Sequence, residues 1–223
     1  MQKLHNYIKN ANLVEGAKFT KNEEYPILEK KMISKDIPKK IITFKESKSI
    51  KDLSEYYICF YEPDAEFERV IRYPHLYVDK FKKCAGIIGP DCSPFEDMMI
   101  YKQKHQMGLN LEVTYYYGKQ GIKIIPNIRL GVDELNDEYL ECFPRGTLIA
   151  IGTHGFIKYR FQKYNMYLYL LKIIEILNPS GIIIYGTLNG DIFDVIKEKV
   201  PIYCYESLID RRVKEVQHGD ERA

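Results

Sequence analysis

The chain has 223 residues, of which 45% are hydrophobic and 29% are charged, so it is expected to be globular rather than disordered. Its 33 basic and 31 acidic side chains give a formal net charge of +2, which provides no electrostatic case for strong nucleic-acid binding. No apolar run approaches the ~20 residues of a membrane helix. The five cysteines lack CxxC spacing, which predicts reduced thiols and a cytoplasmic location.

Polar residues dominate the start of the chain, and residues 1–37 are predicted as an N-terminal extension with one weak helix. A single α/β domain is predicted over 38–210, followed by a charged tail over 211–223. Seven short apolar segments of the domain are predicted as strands, over 38–45, 57–61, 85–89, 122–128, 147–151, 182–185 and 202–205. Helices are predicted between them over 50–56, 65–83 with a corner at Pro74, 94–117, 133–142, 159–177 and 192–199.

This alternation of strands and helices predicts an α/β fold with a mainly parallel sheet of about seven βα units. The units are short and the first turn is not rich in glycine, which favours a barrel-like arrangement over a classical Rossmann fold. Eight-unit barrels usually need ~250 residues, so we expect an incomplete barrel. The alternative is an open doubly wound sheet. In either fold, ligand sites form at the carboxyl ends of the strands.

Carboxylates follow the second and third predicted strands. Glu62 and Asp64 come after the second, and Asp91 and Ser93 come after the third. If the two strands are neighbours, Asp64 and Asp91 could hold Mg²⁺ through oxygen ligands or act as an acid/base pair. The alternative is helix capping by Asp64, Asp91 and Ser93, with Glu96 completing a capping box for the helix over 94–117.

Asn127 and Arg129 follow the fourth predicted strand. An arginine at this position can bind a phosphate or carboxylate through two parallel hydrogen bonds. It can equally neutralise Asp64 and Asp91 in a structural network. Both interpretations stay open at the level of the sequence.

The loop Gly152-Thr153-His154-Gly155 follows the fifth predicted strand. Its backbone N–H groups could face an anion, with Thr153 as a ligand-binding residue, although no P-loop pattern occurs in the chain. His154 is a candidate general base, and its alternative is a solvent-facing loop histidine. Tyr185 ends the sixth strand and completes the set of ligand-binding candidates.

Several motifs occur in the order found in a known family. They are Phe60-Tyr61-Glu62-Pro63-Asp64, Gly89-Pro90-Asp91-Cys92-Ser93, Gly121-Ile122-Lys123-Ile124-Ile125-Pro126, Ala150-Ile151-Gly152-Thr153-His154-Gly155, and Pro179 through Gly186. From about residue 36 to residue 190 the chain resembles the domain of unknown function 4417, which occurs in phages, prophages, plasmids and their bacterial hosts. Gly89 and Cys92 stand where the family box has serine and phenylalanine, and Arg129 stands where tryptophan is frequent. The resemblance implies a mobile-element origin and supplies no reaction.

Two functions are compatible with these observations. The first is an enzyme, with or without Mg²⁺, whose polar pocket at the strand ends takes a phosphate-bearing or nucleotide-like ligand. The second is a non-catalytic accessory protein that binds a host, phage or plasmid replication protein through a tyrosine-rich surface. Direct DNA binding through Lys30-Lys31 and Lys39-Lys40 is disfavoured by the near-neutral total charge, and no membrane partner is expected.

Overall fold

Short strands alternate with longer helices along the chain. The computed structural model of the protein describes residues 12–22, 25–131, 133–153 and 159–212, with the backbone alone for 133–135. The strands in these ranges are β1 Lys18–Phe19, β2 Pro26–Ile27, β3 Lys40–Thr43, β4 Tyr56–Cys59, β5 Gly86–Ile88, β6 Ile124–Ile125, β7 Leu148–Gly152, β8 Gly181–Tyr185 and β9 Ile202–Tyr205. The α-helices are α1 Asp64–Arg72, α2 Val78–Phe81, α3 Ile100–Lys119, α4 Asp133–Leu140, α5 Arg160–Leu177 and α6 Asp194–Lys199, and 208–212 form a further helical turn.

The strands from β3 to β9 are parallel and lie in two sheets. One sheet has the order β3-β4-β5-β6, and the other has the order β7-β8-β9. The sheets meet at a parallel bridge between Asn127 and Ala150. There the Ala150 N–H donates to the Pro126 carbonyl at 2.8 Å, and the Ile128 N–H donates to the Ala150 carbonyl at 2.9 Å. The carboxyl ends of neighbouring strands therefore lie at the same edge.

The parallel strands are buried on both faces, as their continuous apolar sequences require. Side chains of β8 alternate between two clusters, because Ile182 and Ile184 pack with Leu170 of α5, whereas Ile183 and Tyr185 point to the opposite face. The cluster on that opposite face contains residues from both sheets: Ile41, Tyr57, Cys59, Ile88, Ile125, Leu148 and Ala150. The two sheets thus share one central core.

The mixed α/β fold with parallel sheets is confirmed, and each predicted strand segment overlaps an observed strand. A closed barrel is not present, since β9 and β3 are not paired in the described part of the chain. The contact there is a side-chain hydrogen bond from the Tyr205 hydroxyl to the Pro38 carbonyl at 2.5 Å. The helix predicted over 50–56 is wrong, because the 3-10 helix Glu46–Lys48 is the helical segment between β3 and β4, and a regular series of seven βα units stays a prediction.

The predicted start of the helix over 94–117 is wrong, because α3 begins at Ile100. Ser93 does not cap it, since the Ser93 N–H donates to Asp64 Oδ2 at 3.3 Å. Asn110 also holds both backbone groups of Cys92, accepting from its N–H at 2.7 Å and donating to its carbonyl at 3.0 Å. Tertiary hydrogen bonds therefore fix this loop in a non-helical path. None of the helices in the described ranges is long and apolar enough to cross a membrane.

Part of the predicted N-terminal extension packs into the fold. Strands β1 and β2 pair in antiparallel fashion. Tyr25, Leu28, Met32 and Ile33 are buried in the same cluster as α5, and the Ser34 N–H donates to the Ile124 carbonyl at 2.7 Å. The boundaries predicted for the extension, the domain and the tail stay predictions.

Candidate ligand site at the strand ends

A cleft of about 430 Å³ opens at the carboxyl ends of the parallel strands. Each of its walls comes from a segment that follows or ends a different strand, from β3 to β9. The lining residues are Lys45, Tyr61, Glu62, Pro63, Glu66, Asp91, Ser93, Arg129, Gly152, Tyr185, Ser207, Leu208, Ile209 and Arg212. Glu62, Asp91, Ser93, Arg129 and Tyr185, which were predicted from the sequence, are thus brought to one concave surface.

Asp91 is the buried carboxylate of this cleft, and a hydrogen-bond chain orients it. Asn127 Nδ2 donates to Asp91 Oδ1 at 2.7 Å and to the Pro90 carbonyl at 3.0 Å. The Tyr61 hydroxyl donates to Asn127 Oδ1 at 2.9 Å. Because the Pro90 carbonyl can only accept, the side-chain amide of Asn127 has its nitrogen on the Asp91 side. Burial raises the pKa of Tyr61, which keeps its hydroxyl protonated as the donor.

Arg129 places a positive charge beside the Asp91 carboxylate. Its side chain is 17% exposed, and Nη1 lies 4.0 Å from Asp91 Oδ2. This separation is an ion pair but is too long for a hydrogen bond. The arrangement supports the interpretation that Arg129 offsets the negative charge of Asp91, and it also presents a planar donor group at the cleft.

Asp64 lies beside the cleft rather than in its lining. It is the first residue of α1, and its Oδ2 accepts from the Ser93 N–H at 3.3 Å and from Gln106 Nε2 at 3.4 Å. Burial raises the pKa of Asp64, the negative charge of Asp91 adds to that rise, and the Ser93 N–H and Arg129 oppose it. Asp64 therefore connects α1 to the loop that carries Asp91 and Ser93.

Glu62 holds the segment that follows β3. Its carboxylate accepts from the Lys45 N–H at 3.1 and 3.2 Å. Burial raises the pKa of Glu62, and the hydrogen bond from Lys45 works in the opposite direction. The Lys45 ammonium pairs with Glu66 at 2.5 Å. On this side of the cleft, the carboxylates of Glu62 and Glu66 therefore both have a partner in Lys45.

Aromatic packing forms the floor of the cleft. The Tyr61 ring stacks on Tyr185 with ring centroids 5.2 Å apart. A Cβ atom at Gly152 would lie 2.5 Å from the Tyr61 ring, so this position has no room for a side chain. Thr153 is buried and its N–H donates to the Tyr185 carbonyl at 3.1 Å, outside the lining. His154 lies outside the described residues.

The segment after β9 forms the last wall. The Leu208 N–H donates to the Tyr185 hydroxyl at 2.9 Å. Arg211 Nη2 pairs with Glu46 Oε1 at 3.0 Å, which connects this segment to the 3-10 helix after β3. The helical turn 208–212 is therefore fixed against the strand ends.

A known protein family matches most of the chain. The sequence model of the domain of unknown function DUF4417 matches residues 19–205 of the chain. The chain belongs to this family. The resemblance noted from the motifs is thereby confirmed, and the match extends to β1 and β9. No curated protein and no solved structure matches the chain.

Sequence reasoning missed several cleft residues of this DUF4417 protein. Tyr61 lies two residues after β4, within the segment predicted as strand, so the rule that selects strand ends could have found it. Arg212 was assigned to the charged tail, and no local signal in the sequence places it against Tyr185. Lys45 likewise lies two residues after β3, within a segment predicted as strand.

The donor set around the two aspartates does not fit Mg²⁺. Asp91 Oδ1 already accepts from the Asn127 amide, and the Arg129 guanidinium faces Oδ2. Mg²⁺ requires oxygen ligands in near-octahedral arrangement, whereas both neighbours of Asp91 are hydrogen-bond donors. In the described part of the chain, no three potential metal-ligating side chains come together. The chemistry proposed for this cleft therefore has no metal step.

Proposed function

We propose that the strand-end cleft is the active site of an enzyme that acts on a small phosphate-bearing or nucleotide-like ligand. The observation that carries this proposal is the position of Arg129 and Asp91 in one cleft, with Asp91 oriented by Asn127. An oriented carboxylate beside a guanidinium offers both a proton acceptor and an anion-binding group. A cleft of about 430 Å³ is within the range of small-molecule sites.

The fold that we propose for this site is an incomplete βα barrel rather than an open doubly wound sheet. The strand order from β3 to β9 follows the chain without a reversal, and residues of both sheets share one central core. An open doubly wound sheet would have a point at which the strand order reverses. The contacts of Tyr205 with Pro38 and of Arg211 with Glu46 bring the two outer strands of the series close together.

In this proposal Arg129 binds the phosphate and Asp91 is the general base. Arg212 lies at the exposed side of the same cleft and adds a second cation. Asp64 is a positioning residue, because it acts through the Ser93 N–H. Asn127 fixes the orientation of Asp91, and Tyr61 fixes Asn127. The proton would move from the bound ligand to Asp91 Oδ2, the oxygen that does not accept from Asn127.

An accessory protein without catalytic activity is the second candidate. Four large apolar side chains near the start of α3 favour it, since Phe95, Met99, Ile100 and Tyr101 are each more than half exposed. Exposed apolar side chains of this kind are typical of protein interfaces. In this alternative the protein would bind a replication protein of a host, phage or plasmid.

Ligand stabilisation of the full chain tests the proposal. Thermal unfolding is measured with inorganic phosphate, a nucleoside monophosphate and a nucleoside triphosphate, each with and without Mg²⁺. A ligand at 100 times its Kd adds about 2.7 kcal/mol to stability, which corresponds to a rise in Tm of about 5 °C or more. We expect at least one phosphate ligand to give this rise without Mg²⁺.

Two variants and one control locate the site. Arg129→Gln and the more exposed Arg212→Gln are expected to reduce the ligand-induced rise. Arg72→Gln removes an arginine that pairs with Glu68 on the surface of α1 and should leave the rise unchanged. An equal rise in all three variants, or no rise in the wild-type chain, would contradict the proposal.

A further inference from the structure

We infer that a second concave surface, at the start of α5, binds single-stranded nucleic acid by base stacking and phosphate contacts. This surface, here called the α5 groove, has a volume of about 860 Å³. The residues that line it are Arg160, Phe161, Lys163, Tyr164, Asp191 and Ile192. None of them lines the strand-end cleft, so the inference does not depend on the proposed enzyme activity.

Exposed aromatic rings are the first observation. Tyr159 is 56% exposed, Phe161 is 63% exposed and Tyr164 is 53% exposed, although all three lie within six residues. The Tyr159 and Phe161 rings are parallel to within 5°, with centroids 6.0 Å apart. The Tyr159 N–H donates to Gln162 Oε1 at 3.0 Å and fixes the start of the helix that presents these rings. Flat exposed rings of this kind are platforms on which bases stack without sequence preference.

Uncompensated positive charge is the second observation. Arg160 and Lys163 alternate with the aromatic residues, and neither forms an ion pair or side-chain hydrogen bond with the residues that the structure describes. Asp191 is the one acidic residue among those that line the groove in the described ranges. By contrast, Lys31 pairs with Glu29 at 2.6 Å and Lys40 pairs with Glu55 at 2.9 Å. Arg160 and Lys163 thus differ from these paired lysines, because within the described residues neither has an acidic partner.

The combination favours a nucleic acid over a protein partner. A protein interface built on aromatic side chains is expected to have few charges at its centre, whereas Arg160 and Lys163 stand between the rings. Alternating rings and cations match a strand in which bases and phosphates also alternate.

Binding of a fluorescent 12-nucleotide oligothymidylate to the full chain, followed by anisotropy, tests the inference. We expect binding at 50 mM salt that weakens as salt increases. Phe161→Ala should weaken binding about tenfold through the loss of one stacked base. Arg160→Gln combined with Lys163→Gln should reduce the slope of log K against log salt by about 1.4, because two phosphate contacts on a single strand are lost.

Matched control variants lie at the other end of the strands. Tyr73→Ala removes an aromatic ring that is 48% exposed, and Lys82→Gln removes an exposed cation. Neither should change affinity or salt slope.

No binding at 50 mM salt, or equal weakening by the control variants, would overturn the inference. So would self-association of the wild-type chain that Phe161→Ala abolishes, since the groove would then be an interface between copies. Loss of oligothymidylate binding in the groove variants, with phosphate stabilisation retained, would support the inference separately from the cleft.

Discussion

The strand-end cleft and the α5 groove differ in how their polar groups are compensated. In the cleft, Asp91 has Asn127 and Arg129 as neighbours, and Glu62 accepts from the backbone of Lys45. In the groove, cations and aromatic rings face solvent. Buried polar groups must be paired within the protein, because the cost of leaving them unpaired is high. Exposed groups have no such requirement and are available to a partner.

The difference has a consequence for experiments. A substitution in the cleft disturbs stability together with any ligand binding, whereas a substitution in the groove should disturb binding alone. The predictions below test this separation, starting from the largest expected change in the free energy of unfolding.

Asn127→Leu should give the largest loss of stability among the substitutions in the cleft. The substitution keeps the branched shape and the number of side-chain heavy atoms but leaves the Asp91 carboxylate, the Pro90 carbonyl and the Tyr61 hydroxyl without their Asn127 partner. Each unsatisfied buried group costs about 1–3 kcal/mol, so we expect a loss of about 3 kcal/mol in urea unfolding. Asn189→Leu, at an exposed position, is the matched control and should change stability by less than about 0.5 kcal/mol. A loss below about 1 kcal/mol for Asn127→Leu would mean that the hydrogen-bond chain is not buried as described.

Glu112→Gln should raise stability above neutral pH. Burial raises the pKa of Glu112 to about 7, and no charged neighbour contributes to the shift. Between the ordinary value of about 4.5 and about 7 the folded state binds a proton that the unfolded state has released, so the free energy of unfolding falls as pH rises. At pH 8 the variant should be more stable by about 3 kcal/mol, and at pH 4 the two proteins should be equal.

Asp64, which lies beside the cleft, provides a contrast to the pH dependence of Glu112. The pKa of Asp64 is also raised by burial, but the Ser93 N–H and Arg129 oppose the rise. Asp64→Asn should therefore gain less at pH 8 than Glu112→Gln. Urea unfolding at several pH values measures both variants, with the exposed Glu68→Gln as the control. A larger gain for Asp64→Asn would show that the cleft is the less compensated of the two environments.

Gly152→Ala should destabilise the cleft floor by about 1.5 kcal/mol, since the new Cβ would lie 2.5 Å from the Tyr61 ring. The ring cannot move away freely, because it stacks on Tyr185 and its hydroxyl donates to Asn127. Thermal unfolding measures the loss. Gly121→Ala, where a Cβ would meet nothing within 4 Å, separates this clash from backbone strain, since Gly121 has a φ of +80°. A loss at Gly152 no larger than experimental error would mean that the floor is loosely packed.

Much of the fold could be predicted from the sequence because the strands are short apolar runs with polar ends. The run Ile182-Ile183-Ile184-Tyr185 predicts β8 nearly to the residue. The start of α3 could not be predicted in the same way. Ser93 and Glu96 have the spacing of a capping box. The hydrogen bonds of Ser93 with Asp64 and of Cys92 with Asn110 nevertheless hold this loop in a non-helical path. Such long-range hydrogen bonds leave no local pattern.

The candidate site was predictable to the extent that strand ends converge. Asp91 follows β5, and Arg129 follows β6. These two strands are parallel neighbours, so the proximity of the two side chains follows from the order of the strands. Arg212 could not be assigned to the cleft, because its position depends on how the segment after β9 folds back onto Tyr185. The resemblance to DUF4417 is confirmed but adds no site residue, since the family has no assigned reaction.

Phe161→Ser should have the smallest effect on stability. The ring is 63% exposed and its described ring contact is the stack on Tyr159, so we expect a loss of at most about 0.5 kcal/mol in urea unfolding. Phe67→Ser is the matched substitution in the core, where the ring is fully buried against Phe60, and it should cost more than about 3 kcal/mol. If Phe161→Ser instead approaches the loss at Phe67, the groove aromatics are part of the core of the fold, and their exposure cannot be attributed to a nucleic-acid partner. A negligible loss would show that the Phe161 ring contributes little to the stability of the fold and is available to a partner.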